Sequence, residues 1–256
     1  MRIIQTDPPN RLLAELSHQD FEPLGAHLRP FALKHGATVQ EQGAQVETVY
    51  FPVNGIISLV NVMASGDAVE TAMIGREGAI GLFAALGRWR AFARAIVQAP
   101  GIAMAMPAAQ FQEAALRSEP IRQLVLRYKE NLLGQVAQTA ACNALHSLEA
   151  RLSRWILQMS DRAEGAPMAV TQDCISQMLG ARRTTVTLLA GRLQEHGLIQ
   201  YRRGRIAVVD RTGLEATACE CYHVMRRRSD GLYSRPDGVA AASVAGAPPH
   251  SHSQAQ

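Results

Sequence analysis

The apolar positions of the chain change their spacing three times. Residues 12–28 place Leu12, Leu13, Leu16, Phe21, Leu24 and Leu28 at helical intervals, with Ser17 available as an N-cap. From Phe31 to Pro107 the intervals shorten. TVYFPV, IISLVNVM, AVETAMI and ARAIVQA are short runs rich in Val, Ile and Phe, bounded by Gly, Asn, Asp and Pro, and each predicts a strand. The tetrapeptide Ala64-Ser65-Gly66-Asp67 predicts a hairpin turn between two of them, and Pro52-Val53-Asn54-Gly55 a second turn. Several such strands in succession imply a β-barrel or jelly roll.

Helical spacing returns after Phe111. Ile121, Leu124, Val125, Tyr128, Leu132, Val136 and Ala140 recur at steps of three and four, and Pro120 suits a first turn, where a missing N–H costs nothing. The pattern predicts one helix of roughly 27 residues, about 40 Å long. Leu126, Leu133 and Ala137 widen its apolar stripe, so it needs cover on more than one side. A second copy of the chain would supply one cover. A wholly intramolecular core helix is the alternative. Another helix is predicted from Leu148 to Asp161, with Leu148, Leu152, Trp155, Ile156 and Met159 on one face.

The segment from Met168 to Asp210 carries the most specific pattern. Thr171 can cap a helix over Gln172–Met178 that buries Ile175, Met178 and Leu179. Gly180 permits a sharp corner. A second helix follows over 182–195, with Val186, Leu189, Ala190 and Leu193 as its buried stripe and Gly197 at its end. Two helices joined by so short a turn form a helix-turn-helix, whose second helix enters the DNA major groove. Arg182, Arg183, Thr184, Thr185 and Thr187 stand opposite the buried stripe, with Thr171 and Gln172 at the head of the first helix. Arginine can bond guanine O6 and N7 together, and threonine can touch a thymine methyl or a phosphate. Leu198–Tyr201 and Arg205–Val209 then alternate like a hairpin with Arg203-Gly204 at its tip. This wing over 199–209 offers Arg202, Arg203 and Arg205 to phosphates.

Charge supports that reading. Residues 1–110 carry a net charge of −1, while residues 147–228 carry thirteen basic residues, all arginine, against eight acids. A basic block beside a near-neutral domain is the footprint of a polyanion-binding surface. The four cysteines, Cys142, Cys174, Cys219 and Cys221, show neither CxxC spacing nor a histidine at zinc-finger distance. The Cys219/Cys221 pair reads first as two incidental thiols on a helix, with a metal or redox role as the alternative; no metal site and no cofactor are expected. No run of eighteen apolar residues suggests a membrane span, and MRIIQTDPPNRLL lacks a signal-peptide core, so the cytoplasm is the expected location. The sequence contains no Gly-rich phosphate loop, GxSxG or HExxH, so an enzyme is not expected, and Gly75-Arg76-Glu77-Gly78 reads as a turn. The segment from Ser234, with its Ala, Gly, Pro, Ser and Gln and with His250 and His252, reads as a disordered tail.

The expected fold class is therefore α+β. A sensor β-roll (jelly roll) occupies 1–110, a long central helix 111–146, a winged helix-turn-helix 147–228, and a tail 229–256. In this order, from about residue 12 to residue 228, the chain resembles the Crp–Fnr family of transcription regulators, and VTQDCISQMLGARRTTVTLLAGRLQEHGLI is similar to that family's DNA-binding segment. The resemblance implies a homodimer paired along the central helix, double-stranded DNA and RNA polymerase as partners, and a small-molecule effector held in a cyclic-nucleotide-binding-like β-roll. It places Arg183 on the family's guanine-reading arginine and Thr185 on a phosphate-touching threonine. Two further base-reading positions hold Thr184 and Leu188 instead, so the family's usual target sequence is not expected.

The effector site departs further. The family's ribose-binding glutamate position falls on Ala79, within Gly78-Ala79-Ile80-Gly81, and its phosphate-binding arginine position on Ala93. Arg94 is one residue away, and on a strand one residue is the opposite face. Cyclic-nucleotide binding in the usual mode is not expected. Residues 1–110 contain no cysteine for an iron–sulfur centre, and His18, His27 and His35 are only generic candidates for a haem ligand. Two alternatives stay open at this point: a cyclic-nucleotide-responsive regulator with a non-standard pocket, and a ligand or protein-interaction module without DNA binding.

Overall fold

The computed structural model describes residues 8–83, 87 and 90–233. A 3₁₀ turn at Leu13–Glu15 leads into helix α1 (His18–Gly25), where Ser17 accepts a hydrogen bond from Asp20 N–H as its N-cap. Seven strands follow: β1 (Arg29–Leu33), β2 (Thr38–Gln40), β3 (Thr48–Pro52), β4 (Ile56–Val62), β5 (Ala68–Ile74), β6 (Arg94–Ala99) and β7 (Gly101–Pro107). They form two antiparallel sheets, ordered β1-β7-β3 and β2-β6-β4-β5. The four predicted strands are present. β1, β2 and β7 were not predicted, because β1 is exposed along four of its five residues, β2 is three residues long, and β7 is built largely from Ala and Met.

Helix α3 (Glu119–Leu145) is the expected central helix and is 27 residues long, but the unit expected over 111–146 also holds the end of a separate helix, α2 (Ala108–Arg117). The chain breaks at Ser118, whose extended backbone and hydroxyl cap the Ile121 N–H, and Pro120 sits in the first turn of α3 as its missing donor requires. Helix α4 (Leu148–Arg162) is followed by β8 (Met168–Ala169), α5 (Gln172–Leu179), α6 (Arg183–Glu195), β9 (Ile199–Arg202), β10 (Arg205–Val208), α7 (Arg211–Thr217) and α8 (Cys221–Tyr233). The tail had been expected from residue 229, but residues 229–233 complete α8, with Leu232 buried in the β-roll core and Arg11 stacked over the Tyr233 ring. The segment from Ser234, including His250 and His252, lies outside the described residues. No helix among the described residues is long and apolar enough to cross a membrane.

Two apolar cores form. The first fills the β-roll and takes Ile121, Leu124, Val125, Tyr128 and Leu132 from α3. The second surrounds α4, where nine consecutive residues, Leu152 to Ser160, are buried. One helix face cannot hide nine consecutive residues. The winged domain covers one side with Ile175, Met178, Val186, Leu189 and Leu193, and the sheet covers another with Ile56, Val60 and Met73.

β4 is thus buried on both faces, Ile57 and Leu59 pointing into the roll and Ile56 and Val60 toward α4. The β4–β5 register shifts at Leu59/Val60, which pair with Ala72 and Glu70 and leave Thr71 as the extra residue. Such a bulge changes which face later side chains take. Glu70 and Met73 therefore both face α4, while Ala72 and Ile74 point inward.

Polar contacts lock this seam. Trp155 Nε1 donates to Glu70 Oε1 at 3.0 Å, and Ser58 Oγ donates to the other carboxylate oxygen. Arg162 Nε meets Glu77 Oε1 at 2.8 Å and a second guanidinium nitrogen reaches Met73 C=O at 3.0 Å. The Gly75–Gly78 segment is a turn, as expected, and its Glu77 serves as the anchor for α4.

Burial pushes the Glu70 carboxyl up to about 7, against an ordinary value of 4.5. Between those values the folded chain keeps a proton that the unfolded chain has lost, so stability falls as pH rises through the window and is level above it. Glu70→Gln, which can still accept from Trp155 and bond Ser58, removes this dependence. Urea unfolding at pH 5 and pH 8 should show the native chain losing on the order of 3 kcal/mol more than the variant. Equal losses in both proteins would show that Glu70 does not titrate in this range.

Candidate nucleic-acid interface and sensor cavity

Residues 168–208 fold as a helix-turn-helix with a wing. Thr171 accepts from Cys174 N–H at 3.1 Å and starts α5. Gly180 ends α5 in the left-handed region at φ 60°, where a side chain would be strained. α6 begins at Arg183 and Arg182 is its cap, one residue later than expected. Its four predicted core residues, Val186, Leu189, Ala190 and Leu193, are all buried. Arg182, Arg183, Thr184, Thr185 and Thr187 are all exposed on the other side, joined by Leu188.

The wing is a two-residue hairpin: Arg202 pairs with Arg205, and Arg203 and Gly204 turn with φ 51° and 71°. Positive φ at both central residues defines a type I′ turn, whose twist suits a hairpin. An arginine held there costs about 1–2 kcal/mol relative to the right-handed region. Met168 and Ala169 pair with Ile206 and Arg205 as a third strand that two residues were too short to announce. Tyr201 braces the wing, its hydroxyl donating to Val170 C=O at 3.1 Å and its N–H to Gln194 Oε1 at 2.7 Å. Arg202, Arg203 and Arg205 are exposed.

Five arginines therefore project from the exposed side of one small domain. Arg183 is tethered to Asp173 at 3.2 Å, but both side chains are about two-thirds exposed. Water screens such a pair, which is worth little and yields readily to a phosphate or a base. Thr187 Oγ1 donates to Gln172 Oε1 at 2.6 Å, so the two helices share a polar contact on their exposed side.

The winged domain is docked on the sensor sheet. Cys174 Sγ donates to Gln98 Oε1 at 2.9 Å, and Gln98 Nε2 reaches Met178 Sδ at 3.3 Å. Burial pushes the Cys174 thiol up to about 12, so it stays protonated as a donor. This contact between β6 and α5 was not visible in the sequence, since 76 residues separate the partners.

Of the six effector-pocket candidates in the β-roll, Gly78, Ala79, Ile80, Gly81, Ala93 and Arg94, the four Ala79, Ile80, Gly81 and Ala93 line one cavity of about 200 Å³. The other two candidates do not. Gly78 packs against Tyr128, whose hydroxyl would lie 2.7 Å from an added Cβ. Arg94 points away and pairs with Glu41 at 2.8 Å, as strand alternation demands. Residues the sequence reading missed complete the wall, chiefly Gln40, Arg90, Tyr128 and Leu132. Gln40 Oε1 is buried and has no hydrogen-bond partner among the described residues. Tyr128 Oη donates to Ala79 C=O at 2.9 Å and accepts from Ala79 N–H at 3.1 Å, tying α3 to the cavity wall. His35, one of the generic histidines, lies with Nδ1 2.8 Å from Gln98 C=O.

Comparison with known proteins agrees with this architecture. A family model described as a Crp-like helix-turn-helix domain matches residues 150–217, and one described as a cyclic nucleotide-binding domain matches residues 30–118. The global nitrogen regulator of Synechococcus elongatus is 25% identical over 206 residues, covering 76% of this chain and 93% of that protein. Its namesake from Nostoc is 24% identical over 181 residues, covering 67% and 81%. Among solved structures, FixK2 from Bradyrhizobium japonicum matches with a TM-score of 0.65 at 16% identity, covering 75% of this chain and 98% of that one. A crp/fnr-family regulator from Eubacterium rectale matches with a TM-score of 0.63 at 16% identity, covering 80% and 96%. With a sensor β-roll, a long connecting helix and a winged helix-turn-helix in one order, the chain belongs to the Crp–Fnr family of transcription regulators.

Proposed function

We propose that this chain regulates transcription as a homodimer that reads DNA with α6 and grips the backbone with its β9–β10 wing. The observation that carries the reading is the exposure of Arg182, Arg183, Arg202, Arg203 and Arg205 around one helix-turn-helix whose apolar side is fully buried. Arg183 near the N-terminus of α6 reads base edges, with Thr184, Thr185 and Thr187 beside it. The wing arginines and the head of α5, Thr171 and Gln172, hold phosphates and fix the register. Leu188, 56% exposed on the same surface, suits a thymine methyl.

The dimer reading rests on α3. Leu126 and Leu133 are exposed at 41% and 65%, and Ala137, Ala140 and Ala144 continue the line at steps of three and four. Val136 and Ala140, assigned to the internal stripe by periodicity, are respectively half-buried and exposed. An apolar seam repeating every 3.5 residues suits a second α3. RNA polymerase is the further partner of a regulator of this kind, and the cytoplasm its place of action.

The effector reading rests on the cavity. Ala79 and Ala93 stand where a cyclic nucleotide would need a carboxylate and a guanidinium, so the occupant is a smaller and more apolar molecule with a donor for Gln40. Because Tyr128 and Leu132 belong to α3, an occupant would press directly on the dimer helix.

Two outcomes follow. Arg183→Ala should lower affinity for the selected operator by about 1–3 kcal/mol while leaving random duplex nearly unaffected, whereas Arg203→Ala should weaken both alike. Fluorescence-anisotropy titrations on the two DNAs measure the split; equal losses for both variants would refute the division of roles. Replacing Leu126 and Leu133 together by Asp should halve the sedimenting mass at micromolar concentration with unchanged circular dichroism. A dimer that survived both substitutions would place the interface elsewhere.

A further inference from the structure

Three thiols and an imidazole converge where the central helix ends. Cys142 and His146 lie one turn apart at the C-terminus of α3, and Cys219 and Cys221 flank the start of α8. Cys142 Sγ is 3.5 Å from Cys219 Sγ, Cys221 Sγ is 3.5 Å from His146 Nδ1, and all four donor atoms lie within 4.8 Å of one another. A tetrahedral zinc ion with bonds near 2.0–2.3 Å separates its donors by about 3.3–3.8 Å. A multi-iron cluster would hold its cysteine sulfurs further apart.

The surroundings suit a cation. Cys142, Cys219 and Cys221 are buried, yet with Ala150 they form a group of their own, apart from both apolar cores. His146 Nε2 faces Glu220 Oε1 at 3.1 Å, which fixes the proton there and leaves Nδ1 free to ligate, the carboxylate–histidine arrangement that orients metal-bound imidazoles. Gln138 Nε2 lies 3.0 Å from Cys221 Sγ as a donor to a thiolate. Three thiolates around one divalent ion leave a net charge of −1. Among the described residues buried Arg154 bonds only to the uncharged Gln158 and Met225, and it and Arg151 both attract an anionic Cys142. The α3 carbonyl end also favours positive charge.

We propose that Cys142, His146, Cys219 and Cys221 bind one Zn²⁺ per protomer in a closed, structural site. Four protein ligands leave no open position for substrate, and binding releases the thiol protons. The ion staples the end of the dimer helix to the head of α8 immediately before α4, and so fixes the corner from which the winged domain departs. The sequence hid this site because Cys142 and Cys219 stand 77 positions apart.

Full-length protein, purified without added metal and dialysed, should retain about one zinc per chain by plasma mass spectrometry. Its metal-free form titrated with Co²⁺ should show thiolate charge-transfer and the intense visible bands of tetrahedral cobalt. Cys219→Ser and His146→Ala should lose the metal, Glu220→Gln should bind it about 10-fold more weakly, and Cys174→Ser, outside the cluster, should keep it. The cobalt titration uses the native chain and does not depend on whether a variant folds. With the thiols kept reduced, octahedral or absent cobalt bands, or stoichiometric iron in place of zinc in the protein as purified, would each overturn the assignment.

Discussion

Helix α4 cannot exist alone, and the rest of the molecule is arranged around that constraint. From Leu152 to Ser160 every residue is buried, including Ser153, Arg154, Gln158 and Ser160. A helix buried all round must be shared. The sensor sheet, the helix-turn-helix and α8 each take one side, so none of the three can shift without exposing α4. Two polar anchors set its depth: the Trp155 indole on Glu70 and the Arg162 guanidinium on Glu77. Both acids come from the β5 region, which is how the sensor holds the DNA-binding half.

The same arrangement joins the cavity wall to the winged domain by direct contacts. Ala79 lines the cavity and is clamped by Tyr128 of α3. Two residues before it, Glu77 carries the Arg162 anchor of α4. A change in the Gly75–Gly78 turn would therefore reach the dimer helix and the seat of the winged domain together. Direct contact of Gln98 with Cys174 and Met178 adds a second connection from sheet to α5.

The DNA-binding half was legible in the sequence because its determinants are local. Thr171, Gly180 and the 186–189–190–193 stripe define two helices and their corner within 25 residues, and Arg203-Gly204 defines the wing tip. The sensor was half legible. Of the positions named from the sequence, Ala79, Ile80, Gly81 and Ala93 line the cavity while Gly78 and Arg94 do not, and Tyr128 and Leu132 reach it from another domain and could not be placed. β4 lost its alternation because both its faces are covered. The thiol cluster was illegible, since its ligands come in two pairs, and neither has zinc-finger spacing. The central helix was legible from its three- and four-residue spacing and from Pro120, but the separate α2 before it was not, because Ser118 breaks the chain between the two with a side-chain cap.

The central claim is that two copies of this chain present two α6 helices to one face of a DNA duplex. Selection from a random duplex pool with the full-length protein tests it most directly. Enrichment of a two-fold-symmetric sequence, with half-sites about one helical turn or roughly 34 Å apart, is the result this account predicts. Recovery of no preferred sequence, or of a single unpaired site, would contradict it.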